Sequence, residues 1–532
     1  MPFVALDSAR SDPLHRQLYD AIRAAIISGR LPAGSRLPSS RALAQETGVS
    51  RVTVNVAYDQ LTAEGYLETR AGSGTFVRAG LPDEAMHPRR PRERTKPRPE
   101  TRPLIAVPPR LPMRLSQPHV LPEHQTAAIA FISGIPALDL FPSGLWSRLS
   151  ARRWRNATGA EGARLLNYGN PLGYFPLRRA IAQYVALSRG VRCEPGQVIV
   201  TAGAQQALDL AARVLLERGE AAWLENPAYF GARSAFEAAG ASIVPVPVDA
   251  EGLNVAAGEA ASPAARLVYV SPSHQFPLGV TMSMRRRLAL LDWATRAGAW
   301  VIEDDYDGEF RYVGRPLASL QGLDADRSAV EGPAGASGRV LYVGTFSKTL
   351  CPALRLGYLI VPPVLVDTFA GAKSAAVGHT ASVEQAVLAD FLDEGHFSRH
   401  VRRMRVVYAE RQAAMVAAAA EHLSPWVDVQ PSPAGMHLVG WVRAELTAHG
   451  VTDQALADIA LESGVVTTPL SSYRLPGSQR NAVPPLHARQ GLLFGYAGYS
   501  SADIRAAARR LGQAFASRVT IQRSRPQRTR RA

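Results

Sequence analysis

Hydrophobic and polar positions follow two different rhythms along this chain. Up to about residue 78 the rhythm is helical. Leu14, Leu18, Ile22 and Ile26 recur at the spacing of one helix face, and Gly29 and Pro32 close that helix. Ser39 is placed to N-cap a short helix carrying Leu43 and Ala44. Thr47-Gly48-Val49 makes a tight turn, and Ser50 caps a second helix. In it Val54, Ala57, Tyr58 and Leu61 fall at i, i+3, i+4 and i+7 and face a core. Gly65-Tyr66-Leu67 opens a hairpin whose turn is supplied by RAGSGTFV. After about residue 125 the rhythm changes. Short apolar runs alternate with amphipathic segments: QVIVTAG then QQALDLAARVLLE, LVYVSPS then MRRRLALLDWATRAG, then AWVIEDDY and RVLYVGTFSK. Such alternation predicts an α/β fold with a mainly parallel sheet.

Composition sets the boundaries. The 532 residues exceed one ordinary core, and a prior of roughly 100–200 residues per domain gives about three or four units. Residues 1–78 form the first. Residues 79–125 contain MHPRRPRERTKPRPETRP, too basic and Pro-rich to pack, and are predicted to be an extended linker. Residues 126–516 form the large unit, and 517–532 an Arg-rich, disordered tail. Apolar residues make up 46%, which argues against wholesale disorder. A net charge of +15 suggests a polyanionic partner. Cys193 and Cys351 are the only cysteines, so no disulfide framework is indicated and a reducing compartment fits. No signal-peptide pattern and no run of about 18 apolar residues occurs, so a cytoplasmic protein without membrane attachment is expected.

Two capped helices, a tight turn and a hairpin read as a winged helix-turn-helix. Arg51, Thr53 and Asn55 lie in the first turns of the second helix, where base edges are met; an arginine there can make two hydrogen bonds to guanine. Ser39, Ser40, Arg41, Ser50 and Thr53 are candidates for phosphate contacts. Gly72 and Gly74 beside Arg70 suit a wing touching a groove. The competing reading is a helical hairpin with a solvated basic face, and four ordered elements in register count against it. The run LPSSRALA, GVSRVTV, L-x-x-E-G-Y-L and G-x-G-T-F-V resembles the GntR family over nearly all of residues 11–77. That resemblance implies a double-stranded DNA operator as partner.

The large unit centres on VGTFSKTLCPALRLGY. Lys348 can form an imine with an aldehyde cofactor once its amine is desolvated. Arg355 presents a planar fork to a phosphate, and Thr345 and Ser347 add hydroxyls. TAGAQQAL follows a strand and opens a helix, so Gly203 and Ala204 can cradle phosphate through backbone N–H groups. IEDDYDGEF supplies acids and a phenol. Singly each is weak: most lysines are solvated, acid runs are usually solvated or metal-binding edges, and aromatics pack cores. In this order they resemble the fold-type I aminotransferases. The resemblance implies pyridoxal 5'-phosphate, with Lys348 as its Schiff-base residue. Its D-x-Y spacing implies Asp304 beside the pyridine nitrogen, with Asp305 the alternative and Glu303 third. It further implies Tyr306 at the ring hydroxyl, Tyr229 stacked on the ring, and Tyr168 reaching the phosphate of a neighbouring subunit.

Two features depart from the enzymes of that family. Phe276, in SPSHQFPLG, stands where they place an asparagine that bonds the cofactor's ring oxygen, so efficient turnover is not expected. His274 in the same segment is as readily structural as functional. The strand GLLFGYAG is apolar where they carry an arginine for the substrate carboxylate, and Arg474 or Arg489 could reach in from flanking loops. The two halves and their basic linker resemble the MocR/GabR-type subfamily of GntR regulators. That implies a head-to-tail homodimer whose DNA binding is tuned by pyridoxal phosphate or by an amine or amino-acid effector reacting with it. A catalytically competent aminotransferase carrying a DNA-binding arm is the alternative, and a DNA-binding scaffold whose large unit only dimerises is a third.

Overall fold

The computed structural model describes residues 6, 12–70, 73–79, 129–314, 318–331, 338–475, 486 and 489–519. Two compact units divide the chain, Met1–Pro108 and Pro109–Ala532. Nearly all of the predicted linker, 80–125, and the tail from 520 lie outside the described residues. The last helix, Ser501–Arg518, runs two residues into the segment expected to be tail. Leu511 and Phe515 are fully buried and anchor that final turn.

In the first unit, α1 (Leu14–Ile27), α2 (Ser40–Thr47) and α3 (Arg51–Ala63) precede a hairpin of β1 (Leu67–Arg70) and β2 (Gly74–Val77). The caps are local chemistry. Ser39 Oγ accepts the Ala42 N–H at 3.2 Å, and Ser50 Oγ accepts that of Thr53 at 3.1 Å. Gly48, at φ +70°, lets the chain leave α2 in the left-handed region. Leu18, Ile22 and Ile26 of α1 pack with Val54, Ala57 and Leu61 of α3 and with Val77 of the wing.

The large unit is built on an eight-stranded sheet. Its strands are β4 (Val198–Thr201), β5 (Ala221–Asn226), β6 (Ser242–Asp249), β7 (Gly252–Leu253), β8 (Leu267–Val270), β9 (Trp300–Asp304), β10 (Val340–Thr345) and β11 (Gly357–Ile360). They lie in the order β4-β11-β10-β9-β8-β5-β6-β7. Neighbours from β10 to β6 pair in parallel, while β11 pairs antiparallel with β10 and β4. Both faces are covered, so the strands read as continuous apolar runs. Leu341 and Val343 of β10 join one core layer, while Tyr342 between them joins another. A parallel sheet of this kind gathers ligands at the carboxyl ends of its strands.

A second sheet contains β12 (Val427–Val429), β13 (His437–Val442), β15 (Thr468–Pro469) and β16 (Gly491–Gly495). It shares a core with Met404, Tyr408 and Met415 of the helix His396–His422 and with Ile504, Leu511 and Phe515 of the last helix. β3 (Ile129–Ala130) pairs in parallel with β14 (Val465–Val466). Phe131 then accepts the Gly495 N–H at 2.9 Å, which threads residues 131–134 past β16. Among the described residues no helix is long and apolar enough to cross a membrane.

A domain as small as the winged unit buries only about 60% of its chain surface on folding. Leu61 is wholly buried in it. Leu61→Ala should cost about 2–5 kcal/mol. Calorimetry should show the transition of the winged unit lowered or lost, with that of the large unit unchanged.

Candidate cofactor site and DNA-reading surface

Glu303 and Asp304 end β9 and Asp305 follows it, and the three acids meet different partners. Glu303 accepts the backbone N–H groups of Leu320 and Gln321, each at 2.9 Å, and so holds the start of the helix Leu320–Glu331. Asp305 pairs with Arg189 at 2.5 Å and accepts the Tyr342 hydroxyl at 2.5 Å. Asp304 accepts the Tyr269 hydroxyl on Oδ2 at 2.8 Å, and its buried Oδ1 has no partner. Burial pushes the Asp304 carboxyl up to about 7; the Tyr269 bond opposes this, and the charges of Asp305 and Asp307 add to it. A protonated pyridine nitrogen is both a donor and a cation, and it fits the vacant side of Asp304.

Lys348 follows β10 by three residues and is half-buried. Its Nζ donates to the Gly134 carbonyl at 2.9 Å. Burial draws its pKa down, while Asp307 and Asp304 draw it up. Gly134 has φ +76°, and a Cβ there would stand 2.6 Å from Nζ, so only glycine allows the approach.

Arg355 is the one non-glycine residue with positive φ, 50°, among the described residues. The backbone turn aims its guanidinium at the start of the helix Ala204–Leu215, where it donates to the Ala202 carbonyl at 2.7 Å. A Cβ on Gly203 would lie 3.4 Å from that guanidinium. The Gly203–Ala204 helix start and Arg355 therefore meet in one place, an arrangement whose N–H groups and guanidinium can take an anion. Thr345 Oγ1 accepts the Ser347 N–H at 3.1 Å, which shapes the turn into Lys348.

Aromatic rings form the remaining wall. Phe276 meets Tyr473, His437, Tyr229 and Tyr306 edge-on, with centroids 5.1, 5.4, 5.9 and 6.1 Å away. The Tyr306 hydroxyl lies 3.0 Å from His274 Nδ1, which is 2.9 Å from Asp307 Oδ2. A Cβ on Gly435 would fall 2.0 Å from the His274 ring, so that ring fills a glycine slot. His274 is thus buried and tied to a candidate cofactor residue. Burial holds His437 down to about 3. Asp307 and His437 were not singled out by sequence, although Asp307 belongs to the same acidic run as Asp304.

Other candidates lie elsewhere. Arg474 donates to the Arg489 carbonyl at 2.6 Å, and the Arg489 guanidinium covers Trp441 at 4.4 Å. β16 is buried along its length and carries no arginine. Tyr168 is 91% exposed and meets His379 edge-on at 6.0 Å.

On the winged unit, Arg41, Arg51 and Asn55 are exposed. Arg51 Nε donates to Ser40 Oγ at 3.3 Å, linking the starts of α2 and α3. The Thr53 hydroxyl bonds that of Ser50 at 2.8 Å, so both hydroxyls already serve the cap. Arg70 donates to Glu68 at 2.9 Å and covers Phe76. Gly74, at φ +112°, lies against Arg36, an arginine that sequence reasoning missed and that bridges to Phe76. Gly72 lies outside the described residues.

Residues 142–492 match the family described as Aminotransferase class I and II, and residues 14–77 match Bacterial regulatory proteins, gntR family. The probable rhizopine catabolism regulatory protein MocR of Rhizobium meliloti is 41% identical over 96% of either chain. This chain belongs to the MocR-type GntR regulators. A second relative of this architecture, the HTH-type transcriptional regulator YhdI of Bacillus subtilis (strain 168), is 33% identical over 97% of this chain and 98% of its own. Among solved structures, LysN, the alpha-aminoadipate aminotransferase of Thermus thermophilus complexed with N-(5'-phosphopyridoxyl)-L-leucine, has 31% identity. Its TM-score is 0.63 over 74% of this chain and 93% of LysN. As a MocR-type regulator the protein binds DNA through the winged unit, and its large unit has the fold of the pyridoxal-phosphate-dependent aminotransferases.

Two outcomes follow from this geometry. Arg51→Ala should weaken binding to a selected duplex by about 1–3 kcal/mol and relax the preference at one base pair, read by competition binding at fixed salt. The second concerns pH. Burial pushes Glu225 up to about 8 and Glu303, Asp304 and Glu309 to about 7. Each keeps its proton in the folded state where the unfolded chain has released it, so stability falls as pH rises through the folded values. His437, held down to about 3, opposes this only below its ordinary 6.5, and Lys373, held down to about 8, opposes it only above that value. Cofactor-free protein should therefore melt at a lower temperature at about pH 8 than at about pH 6.5. Glu225→Gln should shrink the difference.

Proposed function

We propose that this regulator holds pyridoxal 5'-phosphate on Lys348, and that the cofactor, or an amine or amino acid reacting with it, sets the affinity of the winged unit for its operator. The observation that carries this reading is the partnerless Asp304 Oδ1 on the same strand-end cluster as Lys348. Asp304 keeps the ring nitrogen protonated. Arg355, Thr345 and the helix start at Gly203–Ala204 take the phosphate, Tyr229 lies on the ring face, and Tyr306 serves the ring hydroxyl. When bound, the cofactor supplies an electron sink for a reacting amine.

Phe276 offers no hydrogen bond where the family's enzymes carry an asparagine, and β16 offers no arginine. Both favour sensing over turnover. The exposure of Tyr168 supports a head-to-tail homodimer in which that ring reaches the partner's phosphate site. The setting is the cytoplasm, and the operator is double-stranded DNA.

Borohydride should trap cofactor on the wild-type protein and not on Lys348→Ala. Affinity for one selected duplex should differ by about 5–150-fold among cofactor-free, loaded and amine-treated protein. The same series on Lys348→Ala should be flat. Equal affinity and footprint in every state at one salt concentration would overturn the proposal, and sustained amino transfer would favour the aminotransferase alternative.

A further inference from the structure

The buried positions of α3 are Val54, Ala57, Tyr58 and Leu61. On a helix of about 3.6 residues per turn, the opposite pole is occupied by residues 52, 56 and 59. Two of these are valines: Val52 is 71% exposed and Val56 42%. They stand one turn apart, flanked by exposed Arg51 and Asn55. Isolated exposed valines need no explanation. Here, however, two β-branched side chains of low helix propensity share the pole that a solvated helix would give to polar residues.

A water-facing role does not account for the pair, and the wing and core do not use it. The polar chemistry around it points to nucleic acid: Arg51 and Arg41 are exposed at the starts of α3 and α2. In the major groove the one apolar feature on a base edge is the C5-methyl of thymine. We propose that Val52 and Val56 read thymine methyl groups, so that the operator half-site carries thymines beside the base pair that Arg51 contacts. This rests on the DNA-reading role of α3 and adds the identity of the bases. Arginine reads a guanine edge by directed hydrogen bonds, and the valines add shape and burial. Replacing thymine by cytosine would leave each valine against an unmethylated edge, so the apolar pair discriminates between two pyrimidines.

The test removes the same methyl from either side. Full-length, cofactor-treated protein is used to select duplexes from a random library. In the selected duplex each thymine is then replaced singly by deoxyuridine, which lacks only the methyl. Loss of one buried methyl should weaken wild-type binding about fourfold at one or two positions. With Val52→Ala or Val56→Ala, the thymine and uracil duplexes should bind alike at the corresponding position. Alanine raises helix propensity at these exposed sites, so folding is not at risk, and circular dichroism checks it. A wild-type protein indifferent to every uracil substitution overturns the inference while leaving DNA reading intact. So does a uracil penalty that persists in both alanine variants. If the variants instead change only the oligomeric state, the pole is a protein contact and the inference fails. Selection that enriches no sequence overturns this inference and the DNA-reading role of α3 together.

Discussion

A buried carboxylate with one oxygen unanswered is the interaction on which the large unit is organised. Taking an ionised acid out of water is tolerated only where a cation or donors compensate. Glu303 has two backbone donors, and Asp305 has Arg189 and Tyr342. Asp304 has half of what it needs, from Tyr269. Nothing else among the described residues completes it. The sheet order places the ends of β8, β9 and β10 side by side, and Lys348 and Arg355 follow from the third of these. The scaffold thus keeps a buried carboxyl that favours its proton until a donor or cation meets its open oxygen.

Around that charge the wall is apolar and aromatic rather than ionic. Phe276 sits at the meeting point of four rings. A site of this make-up binds flat and semi-polar groups well, but it gives little help to a charge that must develop and disperse during reaction. The two candidate arginines are engaged away from these rings, with a backbone carbonyl and an indole.

Local features of this architecture were legible in the sequence. Ser39, Gly48 and Ser50 act within a few residues of themselves, and the buried face of α3 follows a fixed period. Lys348, Arg355 and the Gly203 turn were legible because each is carried by a short motif. The D-x-Y spacing pointed to Asp304 among three acids, but the partners of the other two were not legible, because a strand shows alternation and not which side meets which partner. Asp305 is paired by Arg189, 116 residues before it. Gly134, 214 residues before Lys348, and His437 were hidden for the same reason. The last helix outruns the boundary that composition predicts by two residues, because the anchoring of Phe515 outweighs the arginine-rich sequence beyond it.

The Gly134 carbonyl has a consequence beyond the shape of the site. β3 is the first described strand of the large unit, and four residues after it the Gly134 carbonyl accepts from Lys348. The amine that a cofactor would claim is the same amine that pins this incoming strand. Ligation and mooring therefore draw on one nitrogen. A group bound at that nitrogen would compete with its hydrogen bond to the Gly134 carbonyl.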